Sequence, residues 1–385
     1  MQAIGNFDKR DVSLYFHIPF CAHKCPYCHF FVLPDKADLK KIFIDAILLE
    51  WEQQLGLLGN KKVVSIYFGG GTPSLLGPHL LGILLQKVFD SSLEIAPNCE
   101  ITLEANPEDV TQEKIQAFAS LGINRLSIGV QSLDDSSLNT LDRRHSAKKA
   151  LSAIEATFNA GIHNLSIDLM YDLPNQTLSS WEKTLSCLEH LPLTHLSLYN
   201  LTIEPETLFY KNKKSLTPLL PTPEVSLNML QMAIQHLKNK GFERYEISAF
   251  CKNDLYSRHN TGYWIGRPFL GFGPSAFSYW DQKRFRNIAH LSRYAGFLNQ
   301  GKSPVDFEEK LPFSSSQNEL LAVQLRLLEG VDLVLFQERH EKLSVETTQA
   351  LWDLEQKGWL LKEDQTLKLS AEGLLFYDSV ATAII

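Results

Sequence analysis

The sequence predicts an α/β protein, built as an open, partial (βα)6 barrel with a small C-terminal winged-helix-like α+β domain. Over the first two-thirds of the chain, short apolar runs alternate with longer amphipathic patterns, as in right-handed βαβ units around a parallel sheet. Polar residues and glycines also cluster at the C-terminal end of each predicted strand, where parallel α/β folds form their active sites. Six units are fewer than the eight of a closed barrel, so an open barrel is expected.

The predicted strands are short, apolar and rich in β-branched residues, at residues 13–19, 63–70, 100–106, 125–132, 164–171 and 195–203. The segments between and after them have helical periodicity, at about residues 36–56, 76–90, 111–121, 135–160, 178–190 and 222–240. Cysteines follow the first strand, a GGGTP turn follows the second, and a carboxylate, Glu104, lies near the end of the third. Gln131 follows the fourth strand, and Asp168 lies within the fifth.

Beyond residue 240 the alternation becomes irregular, with one further strand predicted at residues 243–248 and a loop-rich stretch at 251–280. After residue 305, helical patterns at 317–328, 335–341 and 345–358 precede a hairpin pattern at 359–369 and a last helix, which together predict a winged-helix-like module. The expected domains are a barrel at 1–240, a barrel extension at 241–304 and a C-terminal domain at 305–385.

Composition excludes several classes of protein. The chain has 385 residues with 44% apolar and 21% charged residues and a net charge of −7, and no run of lysine or arginine indicates a nucleic-acid surface. No apolar stretch is long enough to span a membrane. Six cysteines are too few for a disulfide scaffold, and a thiolate-bound cluster needs a reducing compartment, so a cytoplasmic protein is expected.

Three cysteines, Cys21, Cys25 and Cys28, lie in one short loop with the spacing Cys-x3-Cys-x2-Cys. A [4Fe–4S] cluster takes four ligands, so three thiolates leave one iron open to a small molecule. Two other interpretations stay open at this point. A zinc site would need a fourth ligand, which His17, His23 or His29 could supply, and Cys25-x-x-Cys28 has redox spacing. The open-iron cluster is favoured.

The residues at the other strand ends point to a polar ligand. The three glycines of FGGGTP let backbone groups approach a ligand closely, whereas a tight turn alone would need one. A buried Glu104 would be costly unless it is paired or contacts a ligand. Gln131, Arg143 and Asp168 offer further hydrogen-bonding groups. Each of these signals is weak alone, and together they favour one binding site.

The motifs YFHIPFCAHKCPYC, FGGGTPS, EANPEDV, SIGVQS and IDLMYDLP resemble the radical S-adenosylmethionine (SAM) superfamily, in its coproporphyrinogen III oxidase-like branch, over residues 12–380. The resemblance implies that a partial barrel holds a [4Fe–4S] cluster on Cys21, Cys25 and Cys28, with SAM on the open iron. It implies a SAM pocket formed by Tyr15, Gly70, Gly71, Thr72, Glu104, Gln131, Arg143 and Asp168. The family's chemistry is reductive cleavage of SAM to a 5′-deoxyadenosyl radical.

Two details separate members of this branch. Oxygen-independent coproporphyrinogen oxidases carry a further cysteine two residues after the third, whereas this chain has Phe30, which can neither ligate metal nor act as a thiol. The segment His259-Asn260-x-x-Tyr263-Trp264 resembles a signature of heme chaperones. An imidazole suits heme iron and aromatic faces suit a porphyrin, so His259, Tyr263 and Trp264 are heme-binding candidates. An ordinary hydrogen-bonded loop histidine is the alternative for His259.

His29 stands where these relatives usually have aspartate; it could ligate, donate a hydrogen bond to a cluster sulfide, or point outward.

The preferred hypothesis is a heme chaperone with a cluster and SAM, which delivers heme to acceptor proteins, respiratory ones foremost. The alternative is a radical oxidoreductase acting on a porphyrinogen or another tetrapyrrole. An electron donor is expected only if SAM is cleaved, membrane association only through the acceptor, and a homodimer is allowed.

Overall fold

The computed structural model describes residues 8–385; residues 1–7 of the predicted first domain lie outside the described residues. Over this range the strands are β1 (Asp11–Ile18), β2 (Phe20–Cys21), β3 (Leu33–Pro34), β4 (Lys62–Gly70), β5 (Glu94–Ala105), β6 (Arg125–Gln131), β7 (Asn164–Tyr171), β8 (His195–Asn200), β9 (Glu243–Arg244), β10 (Ala249–Cys251), β11 (Phe269–Phe272), β12 (Phe277–Trp280), β13 (Lys283–Asn287), β14 (Val305–Lys310), β15 (Val331–Asp332), β16 (Leu360–Glu363) and β17 (Thr366–Leu369). The α-helices are α1 (Ala37–Leu58), α2 (Gly77–Phe89), α3 (Gln112–Ser120), α4 (Asp135–Thr140), α5 (Ala147–Asn159), α6 (Leu178–Ser186), α7 (Leu208–Lys211), α8 (Lys213–Leu216), α9 (Pro223–Asn239), α10 (Arg258–Trp264), α11 (Leu291–Asn299), α12 (Phe313–Gln324), α13 (Leu333–His340), α14 (Val345–Gln356), α15 (Ala371–Leu375) and α16 (Tyr377–Ile384).

Parallel strands form the centre of one large sheet, in the order β1-β4-β5-β6-β7-β8. On one side β11 pairs in parallel with β1 and continues into antiparallel β12, β13 and β14. On the other side β10 pairs antiparallel with β8, and β9 pairs antiparallel with β10. Within residues 8–385 the outermost strands β14 and β9 do not pair, so the barrel is open. The predicted partial (βα)6 barrel is confirmed.

The two faces of the parallel strands differ in polarity, because alternate side chains point to opposite sides of a sheet. The outward face packs against the helices and is apolar; Phe16, for example, stacks on Phe68 and Phe272 with ring centroids 5.0 and 5.1 Å apart. The inward face is polar along its length. Ser65 donates a hydrogen bond to Ser13 across neighbouring strands at 2.8 Å. A polar barrel interior is therefore built into the strands that end at the predicted site.

The C-terminal region has an apolar core of its own, formed by residues such as Leu325, Phe336, Leu354 and Val380. Helices α12, α13 and α14 are followed by the hairpin β16–β17 and then by α15 and α16, and β15 completes a small sheet. This is the predicted winged-helix-like arrangement. The domain boundaries at 240 and 304 stay predictions, and β11–β14 continue the barrel's own sheet across the second of them.

Two segments differ from the prediction. The helix predicted at 135–160 is two helices, α4 and α5, separated by a turn in which Asp142 has a φ of 53°. The stretch predicted as loop-rich, 251–280, contains α10, β11 and β12. Strand β11 is four residues long with Gly271 in its middle, which is too short and too irregular to give a strand pattern. Among residues 8–385, no helix combines the length and the apolar character needed to cross a bilayer.

Candidate functional site

A cavity of about 420 Å³ opens at the C-terminal ends of the parallel strands. The predicted cluster cysteines line it, together with most of the predicted SAM-pocket residues, namely Gly70, Gly71, Thr72, Glu104, Gln131, Arg143 and Asp168. These residues come from five consecutive strands and the turns that follow them. The topology therefore brings them to one place, as the carboxyl ends of parallel strands require.

Cys21, Cys25 and Cys28 are free thiols, and each is partly exposed to the cavity. Burial raises the pKa of Cys21 to about 11, although the Thr72 hydroxyl, 3.6 Å from its sulfur, acts in the opposite direction. Burial also raises the pKa of Cys28. Within residues 8–385, no three His, Cys, Asp or Glu side chains converge on the position of a single metal ion. Three thiols from one loop that lines the cavity match the ligand set of a [4Fe–4S] cluster that keeps one open iron.

The glycine turn after β4 lies directly against the cysteine loop. A Cβ atom at Gly71 would lie 2.7 Å from the Phe20 carbonyl oxygen and 3.0 Å from the Cys21 sulfur. Gly70 has a φ of 115°, and a Cβ there would lie 2.7 Å from the His17 ring. Side chains would thus clash at both positions. The turn is glycine-rich because two chain segments approach each other at the cavity wall.

Glu104 is fixed on this wall by two donors. The Tyr67 hydroxyl donates to one carboxylate oxygen at 2.7 Å, and the Gly70 backbone N–H donates to the other at 3.2 Å. Burial raises the pKa of Glu104 to about 7, with the Tyr67 hydrogen bond acting against it. The carboxylate faces a cavity, and no cationic side chain of residues 8–385 is in hydrogen-bonding contact with it, so it can accept hydrogen bonds from a cationic ligand.

Arg143 connects the cysteine loop to the strand ends. Its guanidinium donates to the Asn106 side-chain oxygen at 2.6 Å, to the Gly129 carbonyl at 2.7 Å and to the Cys25 sulfur at 3.5 Å. Its Nε is buried and has no hydrogen-bond partner among the residues that the structure describes. The break between α4 and α5 delivers this side chain to the cavity, which a continuous helix would not do.

The backbone is also irregular at Gln131. This residue has a φ of 64°, and the pairing of β6 with β7 shifts between Ile128 and Gln131. Bulges of this kind redirect side chains next to functional sites. Asp168, two strands along from Glu104, has its pKa raised to about 6 by burial, opposed chiefly by a hydrogen bond from Ser197.

Tyr15 is the predicted pocket residue that does not line this cavity. Its hydroxyl pairs with Nδ1 of His17 at 3.1 Å, and its ring stacks on Tyr67 with centroids 6.2 Å apart. Tyr15 therefore supports Tyr67, which in turn holds Glu104.

His259 lies at the opposite end of the barrel, the N-terminal ends of the strands, which we call the floor. Its side chain is 1% exposed, and its ring packs on Tyr67 at 4.8 Å. Nδ1 pairs with the Ser65 hydroxyl at 3.0 Å and Nε2 with the Tyr263 hydroxyl at 2.8 Å. Burial lowers the pKa of His259 well below its usual value, so the ring is neutral. Neither ring nitrogen is open to iron in this arrangement, which favours the ordinary hydrogen-bonded histidine over the predicted heme ligand.

The rest of the motif closes the floor. Helix α10 begins at Arg258, and the backbone N–H groups of Arg258 and His259 both donate to Glu100, at 2.9 Å each. Trp264 faces away from the barrel, with the Arg326 guanidinium 4.4 Å above its ring. The motif thus joins the floor to the C-terminal region.

Sequence reasoning missed several residues of the cavity. Asn106 donates to the Thr72 hydroxyl at 3.0 Å and accepts from Arg143, and it follows Glu104 by two residues in the EANP motif. Residues two apart on a strand point to the same face, so the spacing from Glu104 was the signal that could have identified Asn106. Tyr199 and Leu201, which follow from β8, gave no comparable signal because apolar residues are common in strands.

The chain matches two family models: the radical SAM superfamily over residues 15–188 and the HemN C-terminal domain over residues 317–376. Its fold is similar to that of coproporphyrinogen III oxidase (HemN) from Escherichia coli, with a TM-score of 0.85 and 22% identity, covering 100% of this chain and 92% of the other. At this identity the likeness concerns the fold.

Curated relatives are similar over nearly their whole length. The heme chaperone HemW of Bacillus subtilis is 30% identical, covering 97% of this chain and 99% of the relative, and HemW of Haemophilus influenzae is 32% identical over 96% of both. A mitochondrial radical SAM domain-containing protein 1 of Bos taurus is 33% identical, over 97% of this chain and 87% of the relative. The chain belongs to the radical SAM superfamily, in the coproporphyrinogen III oxidase-like branch that includes the HemW heme chaperones.

Proposed function

We propose that this protein is a heme chaperone, which binds heme as cargo and transfers it to acceptor proteins. The cofactors of its superfamily are a [4Fe–4S] cluster and SAM. One observation carries the proposal: a chain similar to heme chaperones over 97% of its length brings three cysteines and the glycine, carboxylate and guanidinium groups of five strands to one cavity.

Cys21, Cys25 and Cys28 would hold the cluster. Three thiols fit it because a cluster with three protein ligands keeps one iron for SAM. Arg143 supports this assignment, since its guanidinium lies 3.5 Å from the Cys25 sulfur and compensates the negative charge of a bound thiolate.

Gly70, Gly71, Thr72, Glu104, Gln131, Arg143 and Asp168 would line the SAM pocket. Glu104 would accept hydrogen bonds from the methionyl ammonium group, because it is a fixed carboxylate without a cationic partner at the cavity wall. The glycines would leave room for the ligand beside the cysteine loop. Bound together, the cluster and SAM would supply one-electron chemistry.

The alternative, an oxidoreductase acting on a porphyrinogen, is less well supported. The further cysteine of the coproporphyrinogen oxidases is replaced by Phe30, whose ring is 51% exposed at the cavity mouth. A phenyl ring supplies neither a thiol nor a proton. The likeness to the solved oxidase, at 22% identity, concerns the fold, whereas the HemW heme chaperone of Bacillus subtilis is 30% identical over 97% of this chain.

The proposal includes the partners. Heme acceptors would be heme proteins, respiratory ones foremost, and the chaperone would approach a membrane through them. An electron donor would be required only for cleavage of SAM, and the chaperone would act in the cytoplasm as a monomer or a homodimer. Free cysteines support a reducing compartment.

The test is heme binding by the full chain, purified anaerobically and reconstituted with iron and sulfide. We expect one heme per chain in a Soret titration, followed by transfer to an apo-acceptor added in excess. Cys25→Ala should lose the cluster's broad visible absorbance and its iron and sulfide content, whereas Cys187→Ala, an exposed free cysteine, should keep them.

Absence of stoichiometric heme binding in the wild type would overturn the chaperone proposal. Formation of 5′-deoxyadenosine together with decarboxylated porphyrinogen would establish the oxidoreductase. A full complement of iron in Cys25→Ala would show that the ligand assignment is wrong.

A further inference from the structure

We infer that the cargo heme binds at the mouth of the cysteine cavity, with the imidazole of His29 as an axial ligand of its iron. This inference rests on the proposed function and adds a site and a ligand to it. We call the mouth the part of the cavity lined by the exposed residues that follow the third cysteine; the end of β8 and the residues after it line the same cavity.

The first argument is the state of the histidines. An axial ligand needs a ring nitrogen with a free lone pair that a macrocycle can reach. His17 and His259 are buried, and protein partners occupy both nitrogens of each. His23 lines the cavity, but its Nε2 pairs with Asp142 at 2.7 Å. His29 also lines the cavity and is exposed, and in the described chain no hydrogen bond engages its ring.

The second argument is the apolar lining around His29. Phe30, Val32, Tyr199 and Leu201 are apolar or aromatic residues that line the same cavity as His29, and the Phe30 ring lies 4.9 Å from the His29 ring. Phe30 is 51% exposed and Tyr199 is 45% exposed, although both are large aromatic side chains. Exposed apolar groups gathered at a cavity indicate a ligand with broad apolar faces. A porphyrin has two such faces, each much larger than the adenine ring of SAM.

The third argument is charge. Heme carries two propionates, and Lys24 lines the same mouth. Its ammonium group donates to the Phe30 carbonyl oxygen at 3.3 Å, which places the positive charge beside the proposed apolar face. An imidazole, an exposed aromatic ring and a cation thus lie close together at the mouth, and these are groups that an iron porphyrin with acidic side chains requires.

The arrangement also places the cargo close to the cluster. His29 directly follows Cys28, so a heme on His29 would lie over the cavity that the cysteines line. Heme would then cover the entrance to the SAM pocket. A heme in this position would contact a SAM molecule bound in the pocket beneath it, so the presence of SAM would affect heme binding directly.

The experiment compares heme binding by wild type, His29→Ala and His23→Ala in the full chain. His23→Ala is the matched control, because His23 is an exposed imidazole that lines the same cavity. We expect His29→Ala to weaken heme binding about tenfold or more, a loss of at least about 1.4 kcal/mol. It should also lose the spectral signature of histidine ligation in the Soret band and in electron paramagnetic resonance, which free imidazole should restore. His23→Ala should match the wild type.

Iron and sulfide are measured in each variant, and the titration is repeated on cluster-free protein, so that an effect on the cluster is not taken for one on heme. His29→Met supplies a second test, since a thioether on the same iron gives a different spectrum. Stoichiometric heme with an unchanged spectrum in His29→Ala and His29→Met would overturn the inference and leave the chaperone proposal standing. Absence of heme binding in the wild type would overturn both.

Discussion

The two ends of the barrel both carry histidines in sequence motifs, but they use them in opposite ways. At the floor, His259 is buried with both ring nitrogens paired, and the backbone of α10 is anchored on Glu100. At the mouth, His29 is exposed and has no hydrogen bond in the described chain. The difference shows that a motif of histidine and aromatic residues can have a structural role, packing across one end of a barrel. Availability for a ligand depends on partners, which spacing does not reveal.

The largest effect that separates the two ends should be on stability. His259→Ala leaves a cavity and removes the partners of the Ser65 and Tyr263 hydroxyls, so we expect it to cost about 3–4 kcal/mol of unfolding free energy. His29→Ala should change it by less than about 0.5 kcal/mol, because the side chain is exposed. Denaturation in urea of the cluster-free protein measures both. Equal losses would contradict the distinction between a closed floor and an open mouth.

Glu50 of α1 is a second buried polar group that is hydrogen-bonded within the protein, and its contribution to stability depends on pH. Glu50 is 0% exposed and accepts hydrogen bonds from the Tyr294 hydroxyl and the Gly273 backbone N–H, among others. Burial raises its pKa from the usual 4.5 to about 7. The folded state thus binds this proton more tightly than the unfolded chain does. The contribution of Glu50 to the free energy of unfolding is complete below pH 4.5. It falls by at most about 3 kcal/mol as the pH rises to 7.

Urea unfolding of cluster-free protein at several pH values checks this prediction. Glu50→Gln should flatten the dependence of unfolding free energy on pH between 4.5 and 7, whatever its effect on absolute stability. Glu52→Gln, on the same helix with an exposed side chain, should keep the wild-type slope. A Glu50→Gln slope equal to the wild-type slope would show that this carboxyl does not titrate in the window.

The smallest effect concerns the outer side of the floor, where Arg326 lies over the Trp264 ring and pairs with Glu246. We expect a coupling energy of about 0.5–1 kcal/mol between Trp264 and Arg326. A double-mutant cycle with Trp264→Leu and Arg326→Met isolates this term from the separate loss of the Glu246 pair. Strict additivity would mean that the floor and the C-terminal region are joined through other contacts.

The sequence predicted the fold and most of the cavity because periodicity and strand-end position are local properties. Gly70 and Glu104 lie at the ends of recognisable strands and Asp168 lies within one, so a parallel sheet brings them to one cavity. Arg143 was recognised by motif, yet the helix break that delivers it was not predicted, because residues 135–160 have helical periodicity throughout.

Two residues show where sequence reasoning ended. Tyr15 and His259 were assigned to ligands, and the structure places both in the packing around Tyr67. Their environment depends on contacts between β1, β4 and α10, which are distant in sequence. The chemical nature of each side chain suggested that it binds a ligand. What each ring can bind depends instead on the positions of the neighbouring hydroxyl groups.

The closed floor also has a consequence for the order of events. Since α10 covers the floor of the described barrel and the proposed SAM pocket and heme position belong to one cavity, we expect both ligands to enter through the mouth. When two ligands use one opening, the inner ligand has to bind first and the outer ligand has to dissociate first. SAM would therefore enter before heme and stay until heme departs, and a pre-bound heme should slow the exchange of labelled SAM.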